Sequence, residues 1–306
     1  MDPIRALLLG VVAPAVLALV LALVLGGWRR AEPSRFSATA AVALAASYVL
    51  GWALILGLPK LMPVDVTQAT PWFVVLGALL AWPLGKLGVG PRVLVSLLLG
   101  ACIAVWLTSP LVPGTFDTMA AALHGVAVTA TFVVFDIGLR AVLPAIDPRG
   151  GAIAVVLLVT GVSLAVLFSN VASLAQVVGA LAAGLGALIA LGLWRRSAAE
   201  LTSATLVIAT VLTTSLWSGK LYAEGDYLVI AVLVALPLVL LASARWLARP
   251  RRPLLALALP GLVIVIPLAA ITYLASQVYF ARGEARSSAS EMTKPSDDGY
   301  DPSYGY

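Results

Sequence analysis

Residues 151–194 read GAIAVVLLVTGVSLAVLFSNVASLAQVVGALAAGLGALIALGLW and contain no acidic or basic side chain. A helix needs about 20 apolar residues to cross the hydrocarbon core of a bilayer, so this stretch has the length of two crossings. Ser169 and Asn170, near its middle, are adjacent polar residues at which the chain can turn. We therefore predict two membrane spans here, 151–169 and 171–194.

The composition of the whole chain indicates the same environment. Of its 306 residues, 61% are hydrophobic and 11% are charged, and the mean hydropathy is +1.05. Since a soluble domain carries about 25% charged residues, we predict an all-α polytopic bundle whose solvent is the lipid bilayer. The net charge of +5 does not indicate a nucleic-acid partner, because the basic residues lie at the ends of the spans.

Ten spans are predicted when the same criterion is applied outward from residues 151–194. The third is short, and Pro83 interrupts its end. We predict one transmembrane helical domain, 1–280, followed by a disordered polar tail, 281–306, which is rich in Ser, Asp and Tyr. The predicted spans are 4–27, 37–58, 70–85, 92–109, 118–143, 151–169, 171–194, 201–218, 226–247 and 254–280.

The distribution of Arg and Lys predicts the orientation of the spans. Thirteen of the 19 basic residues lie in the loops that follow odd-numbered spans, and six lie on the opposite side. Cytoplasmic loops of membrane proteins carry the excess of basic residues. We therefore predict a bacterial cytoplasmic membrane location, with the odd-side loops in the cytoplasm and both termini outside.

Asp136 is the acidic residue that lies well inside a predicted span, and ionisable groups at membrane depth are candidates for function. Arg140 follows at i+4, a spacing that places both side chains on one helix face. One interpretation is an ion pair that extends towards the inner headgroups. The others are a proton or cation relay that starts at Asp136, and a structural contact between helices.

His124 is the sole histidine and lies in the same predicted span as Asp136. The two residues are separated by about 18 Å along a helix axis, so their side chains cannot touch. His124 is either hydrogen-bonded to a neighbouring helix or a second site on a proton or cation path, in which other groups would bridge the distance to Asp136.

Thr210, Thr213 and Thr214 belong to the eighth predicted span, which is rich in hydroxyl groups. Hydroxyls in membrane helices commonly bond the carbonyl four residues earlier or a neighbouring helix. The alternative is a polar lining for a neutral or weakly polar solute.

Prolines inside spans predict irregular helices. Each removes a backbone N–H and can kink the helix. We consider Pro14 and the pair Pro260–Gly261 as helix-break candidates, of which the second could expose backbone groups to a substrate; an ordinary kink is the alternative.

Small residues recur in the seventh span, as in Gly179/Ala183 and Ala182/Gly186. Small residues spaced by four let helix backbones approach closely, so we predict a packing helix.

Motifs that carry enzymatic chemistry are absent from the sequence. It has no Walker A sequence, no His-Glu-x-x-His and no Gly-x-Ser-x-Gly. One histidine and one cysteine, Cys102, cannot form a metal cluster or a disulfide. We predict a protein that is not an enzyme, without catalytic residues, metal or cofactor.

The segments SLAQVVGALAA at 173–183 and LYAE at 221–224 resemble parts of an uncharacterised group of bacterial polytopic membrane proteins. The resemblance implies a polytopic membrane fold and no particular activity.

Two functional classes remain at this point. The first is a permease-like carrier for a small, weakly polar solute, favoured by Asp136, the hydroxyl-rich span and the prolines. The second is a non-catalytic membrane subunit or scaffold, favoured by the short loops and by a Tyr-rich tail that could dock a protein partner.

Overall fold

The computed structural model describes residues 8–292, apart from 26–32, 61–62, 64, 113, 195–200, 224 and 248–252. In this part of the chain there are ten long helices and no β-strand, which confirms the all-α prediction. The helices are α1 (Ala13–Leu25), α2 (Pro33–Leu56), α3 (Thr70–Gly85), α4 (Val89–Thr108), α5 (Thr118–Val142), α6 (Pro148–Phe168), α7 (Ala172–Trp194), α8 (Thr205–Tyr222), α9 (Tyr227–Leu247) and α10 (Pro253–Met292).

The uncharged stretch 151–194 forms two helices, as predicted. α6 ends at Phe168 and α7 begins at Ala172. Asn170 in the turn has φ 64°, a left-handed conformation that Asn adopts more readily than most residues. The third predicted span, 70–85, coincides with α3, which includes Pro83 in its last turn.

Nine helices in the described part of the chain are long and apolar enough to cross a membrane. Large apolar side chains point outward from them; Val24, Leu79, Val105 and Ile266 are 65–70% exposed. Water would not tolerate such an apolar surface, whereas lipid does. The architecture is therefore that of a multi-pass membrane protein.

α8 is the long helix that falls outside this group of nine, and it lies at the centre of the bundle. All its residues from Thr205 to Gly219 are buried, and it contacts every helix from α2 to α7. At the periphery, α1 packs on α2 and α7, while α10 packs on α6 and α9. The hydroxyl groups of α8 therefore face other helices and not lipid.

Small residues bring α2 and α7 into close contact. A Cβ atom added at Gly51 of α2 would overlap the Ala180 side chain, and one at Gly184 would lie 2.5 Å from the Ser47 hydroxyl. The close face of α7 is thus Ala180/Gly184. The predicted faces, among them Ala182/Gly186, are not the tightest, because an added Cβ at Gly186 meets no atom within 4 Å.

α10 is continuous at Pro260 and Gly261, so the helix break predicted there is not present. Gly261 lies against Ile153 and Leu157 of α6, since an added Cβ would be 3.6 and 3.5 Å from their side chains. Packing on α6 supports the helix through the proline, as neighbouring helices commonly do in membranes.

The same helix continues to Met292, beyond the predicted start of the polar tail at residue 281. Residues 281–292 are therefore helical. The rest of the predicted tail, 293–306, lies outside the described residues.

The helix around Pro14 is irregular but not interrupted. A π-helical turn, Leu8–Val12, precedes α1. The carbonyl of Pro14 accepts a hydrogen bond of 3.0 Å from the hydroxyl of Ser47 on α2.

Candidate functional site

Asp136 lies at the centre of a polar cluster formed by α4, α5 and α8. Its side chain is 1% exposed and accepts hydrogen bonds from the hydroxyls of Ser96 and Thr205, both at 2.5 Å. The Arg140 guanidinium completes the set, with Nη2 at 3.2 Å from Oδ1 of Asp136. We call these four residues the Asp136 cluster, and the end of the bundle where α4 begins and α5 ends the Asp136 end.

Arg140 turns into the bundle as well as towards its end. Its Nη2 also donates to Thr205 Oγ1 at 3.2 Å, and its side chain is 16% exposed. The predicted Asp136–Arg140 pair is therefore present, but it contacts α4 and α8 and does not simply extend towards headgroups. Nε of Arg140 is buried and has no hydrogen-bond partner among the described residues.

A second arginine, Arg92, connects the end of α3 to the α4 helix near the Asp136 cluster. Arg92 of α4 donates from Nε to the Leu84 carbonyl at 2.5 Å and from Nη2 to the Gly85 carbonyl at 2.7 Å. These carbonyls lie in the last turn of α3, where a helix leaves its carbonyl groups unsatisfied. The backbone carbonyl of Arg92 is in turn 3.0 Å from the Ser96 hydroxyl.

The Asp136 cluster can do two things chemically. A carboxylate with three donors from three helices fixes their relative positions, because a buried charge is tolerated only when it is paired and hydrogen-bonded. The hydroxyls of Ser96 and Thr205 can also accept as well as donate, so each could pass a proton to or from the carboxylate.

The hydroxyls further along α8 fall into two groups. Those of Thr210 and Thr214 donate to carbonyls of their own helix, at Leu206 and Thr210, each at 2.7 Å. Those of Thr213 and Ser215 are buried and have no hydrogen-bond partner among the described residues. Of the three predicted candidates on this helix, Thr213 is therefore the one whose hydroxyl forms no hydrogen bond within the described part of the chain.

His124 lies at the opposite end of the bundle, in an aromatic cluster. Its ring stacks on Phe116, with 4.5 Å between centroids, and its Nε2 lies 2.8 Å from the Tyr227 hydroxyl on α9. Its Nδ1 lies 2.7 Å from the Ala120 carbonyl. The Lys220 ammonium sits 3.9 Å from the centroid of the Tyr227 ring. We call this the His124 end.

The three predicted ionisable candidates on α5 thus belong to two separate clusters, His124 to one and Asp136 with Arg140 to the other. Asp117 starts the helix, since its carboxylate accepts a hydrogen bond of 2.6 Å from the Ala120 N–H. Thr131 lies between His124 and Asp136 and bonds Trp217 Nε1 of α8 at 3.1 Å. Of the two interpretations of His124, the structure therefore favours a hydrogen bond to a neighbouring helix, here to Tyr227 of α9.

Several polar partners were not predicted from the sequence. Ser96 could have been found, because it is the lone hydroxyl in the run 93–107 and lies at a helix depth similar to that of Asp136. Tyr48 carried no such signal; it is fully buried on α2, and its hydroxyl has no partner among the described residues. Ser215 was not distinguished from the other hydroxyls of its span.

No cluster of three or more His, Cys, Asp or Glu side chains occurs within the described part of the chain. Comparison with protein families, curated proteins and solved structures finds no match to this chain.

Proposed function

We propose that this protein is a carrier for a small, neutral or weakly polar solute. The observation that supports the proposal is the pair of unpartnered hydroxyls, Thr213 and Ser215, on the fully buried central helix. In a membrane interior a polar group without a partner is unfavourable by several kcal/mol. A solute with hydroxyl or amide groups would supply the missing hydrogen bonds when it occupies this level of the bundle.

The Asp136 cluster lies at one end of the proposed solute pathway and could control access to it. It joins α4, α5 and α8 through side-chain contacts about 12 Å along α8 from Thr213. Opening a path would require these contacts to exchange, as they do when helices rock about a fixed site. From the distribution of basic residues we infer that this end faces the cytoplasm of a bacterial cell and that both termini face outward.

Solute flux in proteoliposomes tests the carrier proposal. The full-length protein would be reconstituted and exposed to a set of radiolabelled small polyols, neutral amino acids and amides, with an internal dye to report protons. We expect uptake of one solute class above that of empty liposomes. Thr213→Val and Ser215→Ala should reduce this uptake at least about tenfold, because each removes a hydrogen bond made to the moving solute.

Two hydroxyl variants serve as matched controls. Ser243 of α9 bonds its own helix at Val239, and Thr129 of α5 bonds its own helix at Gly125. Ser243→Ala and Thr129→Val should leave uptake unchanged. Uptake that is equally indifferent to Thr213, Ser215 and Asp136 would contradict the carrier proposal.

A second function is a non-catalytic membrane subunit or scaffold. The observation that favours it is the length of α10, 40 residues, or about 60 Å of helix against a hydrocarbon core of about 30 Å. The helix therefore extends well past the membrane on the side that carries residue 292. Tyr273 and Phe280 lie within the apolar part of this helix, Ala258–Arg282, and are 65% and 62% exposed. Exposed aromatic side chains are frequent anchors of protein interfaces.

Affinity purification in mild detergent separates the two functions. The full-length protein and a 1–282 truncation would be compared by quantitative mass spectrometry. A stoichiometric protein lost with residues 283–306 would support the scaffold. Recovery of the same proteins with both forms would count against it.

A further inference from the structure

A cavity of 260 Å³ lies at the His124 end, between α6, α8, α9 and α10. Its inner wall is formed by buried apolar side chains, among them Val166, Leu216, Ile230 and Ile271. The space exceeds the roughly 150 Å³ of an apolar protein cavity that accepts benzene. An apolar group of more than a few carbon atoms therefore fits here without displacing polar contacts.

The mouth of this cavity differs from its wall, because it combines exposed apolar and charged side chains. Leu228 and Leu274 line it and are 58% and 52% exposed. Gln277, Asp226 and Arg282 line it too and are also exposed. This composition suits the boundary between acyl chains and headgroups of a bilayer, where one lipid molecule presents both apolar and polar groups.

The two charges at the mouth have opposite signs. The Asp226 carboxylate accepts a hydrogen bond of 2.9 Å from the Leu228 N–H at the start of α9, and a carboxylate has further acceptor sites for an ammonium group. α6 ends beside the cavity at Phe168, and the negative end of its dipole also favours a cation. Arg282 presents a planar set of donors that suits a phosphate.

We propose that this cavity is a binding site for one zwitterionic glycerophospholipid with an ammonium headgroup, as in phosphatidylethanolamine. One acyl chain enters the cavity against Leu216 and Ile271. The lipid phosphate binds Arg282, and the ammonium group binds Asp226. The site is separate from the hydroxyls of Thr213 and Ser215, so the proposal does not depend on transport.

Native mass spectrometry of the delipidated full-length protein tests the site. The protein would be titrated with phosphatidylethanolamine, phosphatidylglycerol and a fatty acid, all with the same acyl chain. We expect one phosphatidylethanolamine to bind about fivefold more tightly than phosphatidylglycerol, which lacks the ammonium group. Asp226→Asn retains the hydrogen bond to Leu228 and removes the charge, so it should abolish this preference.

Filling the cavity tests the position of the acyl chain. Ala275 lines the cavity, and Ala275→Phe should reduce lipid binding at least about tenfold. Ala101→Phe is the matched control, since Ala101 is exposed on α4 and its variant should bind as the unmodified protein does. Size-exclusion elution of each variant verifies that it remains folded, and Asp226→Asn tests the headgroup without adding bulk.

Equal binding of the two phospholipids by the unmodified protein would overturn the proposal. Tighter binding of the fatty acid, or a preference that Asp226→Asn does not alter, would also overturn it. If Ala275→Phe is folded and binds phosphatidylethanolamine as tightly as Ala101→Phe, the acyl chain does not occupy the cavity.

Discussion

Two stretches of α8 hold buried hydroxyls in opposite ways. At the start of the helix, Thr205 joins a carboxylate and an arginine of α5. About 12 Å further along, Thr213 and Ser215 are just as buried but have no partner among the described residues. In the first stretch the Thr205 hydroxyl is hydrogen-bonded to charged partners, which stabilises the resting fold. The second retains hydroxyls that form no hydrogen bond with the described residues, which is why we associate it with a solute.

The largest effect is expected at Asp136. Asp136→Ala removes the ion-pair partner of a mostly buried arginine and the acceptor of two hydrogen bonds from hydroxyls. We therefore expect a loss of about 3 kcal/mol in the free energy of unfolding. Unfolding in mixed detergent micelles measures it. Asp117→Ala, which removes a carboxylate that caps the same helix, should lower stability by only about 1 kcal/mol. Equal losses for both variants would show that the Asp136 cluster contributes no more to stability than an ordinary helix cap.

The hydroxyl partners of Asp136 should have smaller, coupled effects. Ser96→Ala removes one hydrogen bond to the Asp136 carboxylate, whereas Thr205→Val removes one to Asp136 and one from Arg140. We expect Ser96→Ala to lower the free energy of unfolding by about 1.5 kcal/mol and Thr205→Val to lower it by about 2 kcal/mol. The double variant should deviate from the sum of the two, because both residues share one carboxylate. Additive losses would mean that the two hydroxyls act on Asp136 independently.

The depth of polar residues along each helix could be predicted from the sequence, but their partners could not. Counting from helix ends correctly separated Asp136 from His124 and placed Arg140 beside the carboxylate. Which helices meet at Asp136 depends on the packing of α4 and α8 around α5, and hydropathy carries no information about it. Lipid-facing and helix-facing residues are both apolar, so the pattern that distinguishes core from surface in water is lost.

The central position of α8 shows the same limit. Its hydroxyls lower its hydropathy, so the sequence pattern indicates only a weak membrane span. The structure shows that the helix is buried on all sides, which explains why it needs little apolar surface. Pro260 shows the reverse case. A proline predicts an interrupted helix, but contact between α10 and α6 near Gly261 keeps the helix continuous.

A modest effect is expected at the His124 end. His124→Phe retains the stacking on Phe116 and removes the polar contacts of the ring with the Tyr227 hydroxyl and the Ala120 carbonyl. We expect a loss of about 0.5 kcal/mol in the free energy of unfolding. Tyr227→Phe should give a similar value, and the double variant should lose little more than either. A loss as large as that of Asp136→Ala would contradict the contrast between the two ends.

The smallest effect on stability is expected at Thr213. Its hydroxyl has no hydrogen-bond partner among the described residues, and replacing an unsatisfied buried polar group by an apolar group of the same shape is nearly neutral or stabilising. Thr213→Val should therefore raise or lower the free energy of unfolding by less than about 0.5 kcal/mol. Thr210→Val, whose hydroxyl bonds its own helix at Leu206, is the matched control at the same depth.

The combination of the two readouts at Thr213 is what separates a solute-binding residue from a structural one. A structural hydroxyl would lower stability and flux together, because both depend on the same packing. A hydroxyl kept for a solute should lower flux in Thr213→Val while the unfolding curve stays in place. If Thr213→Val instead destabilises the protein by more than about 1 kcal/mol, its hydroxyl has a partner in the resting fold, and the difference between the two stretches of α8 disappears.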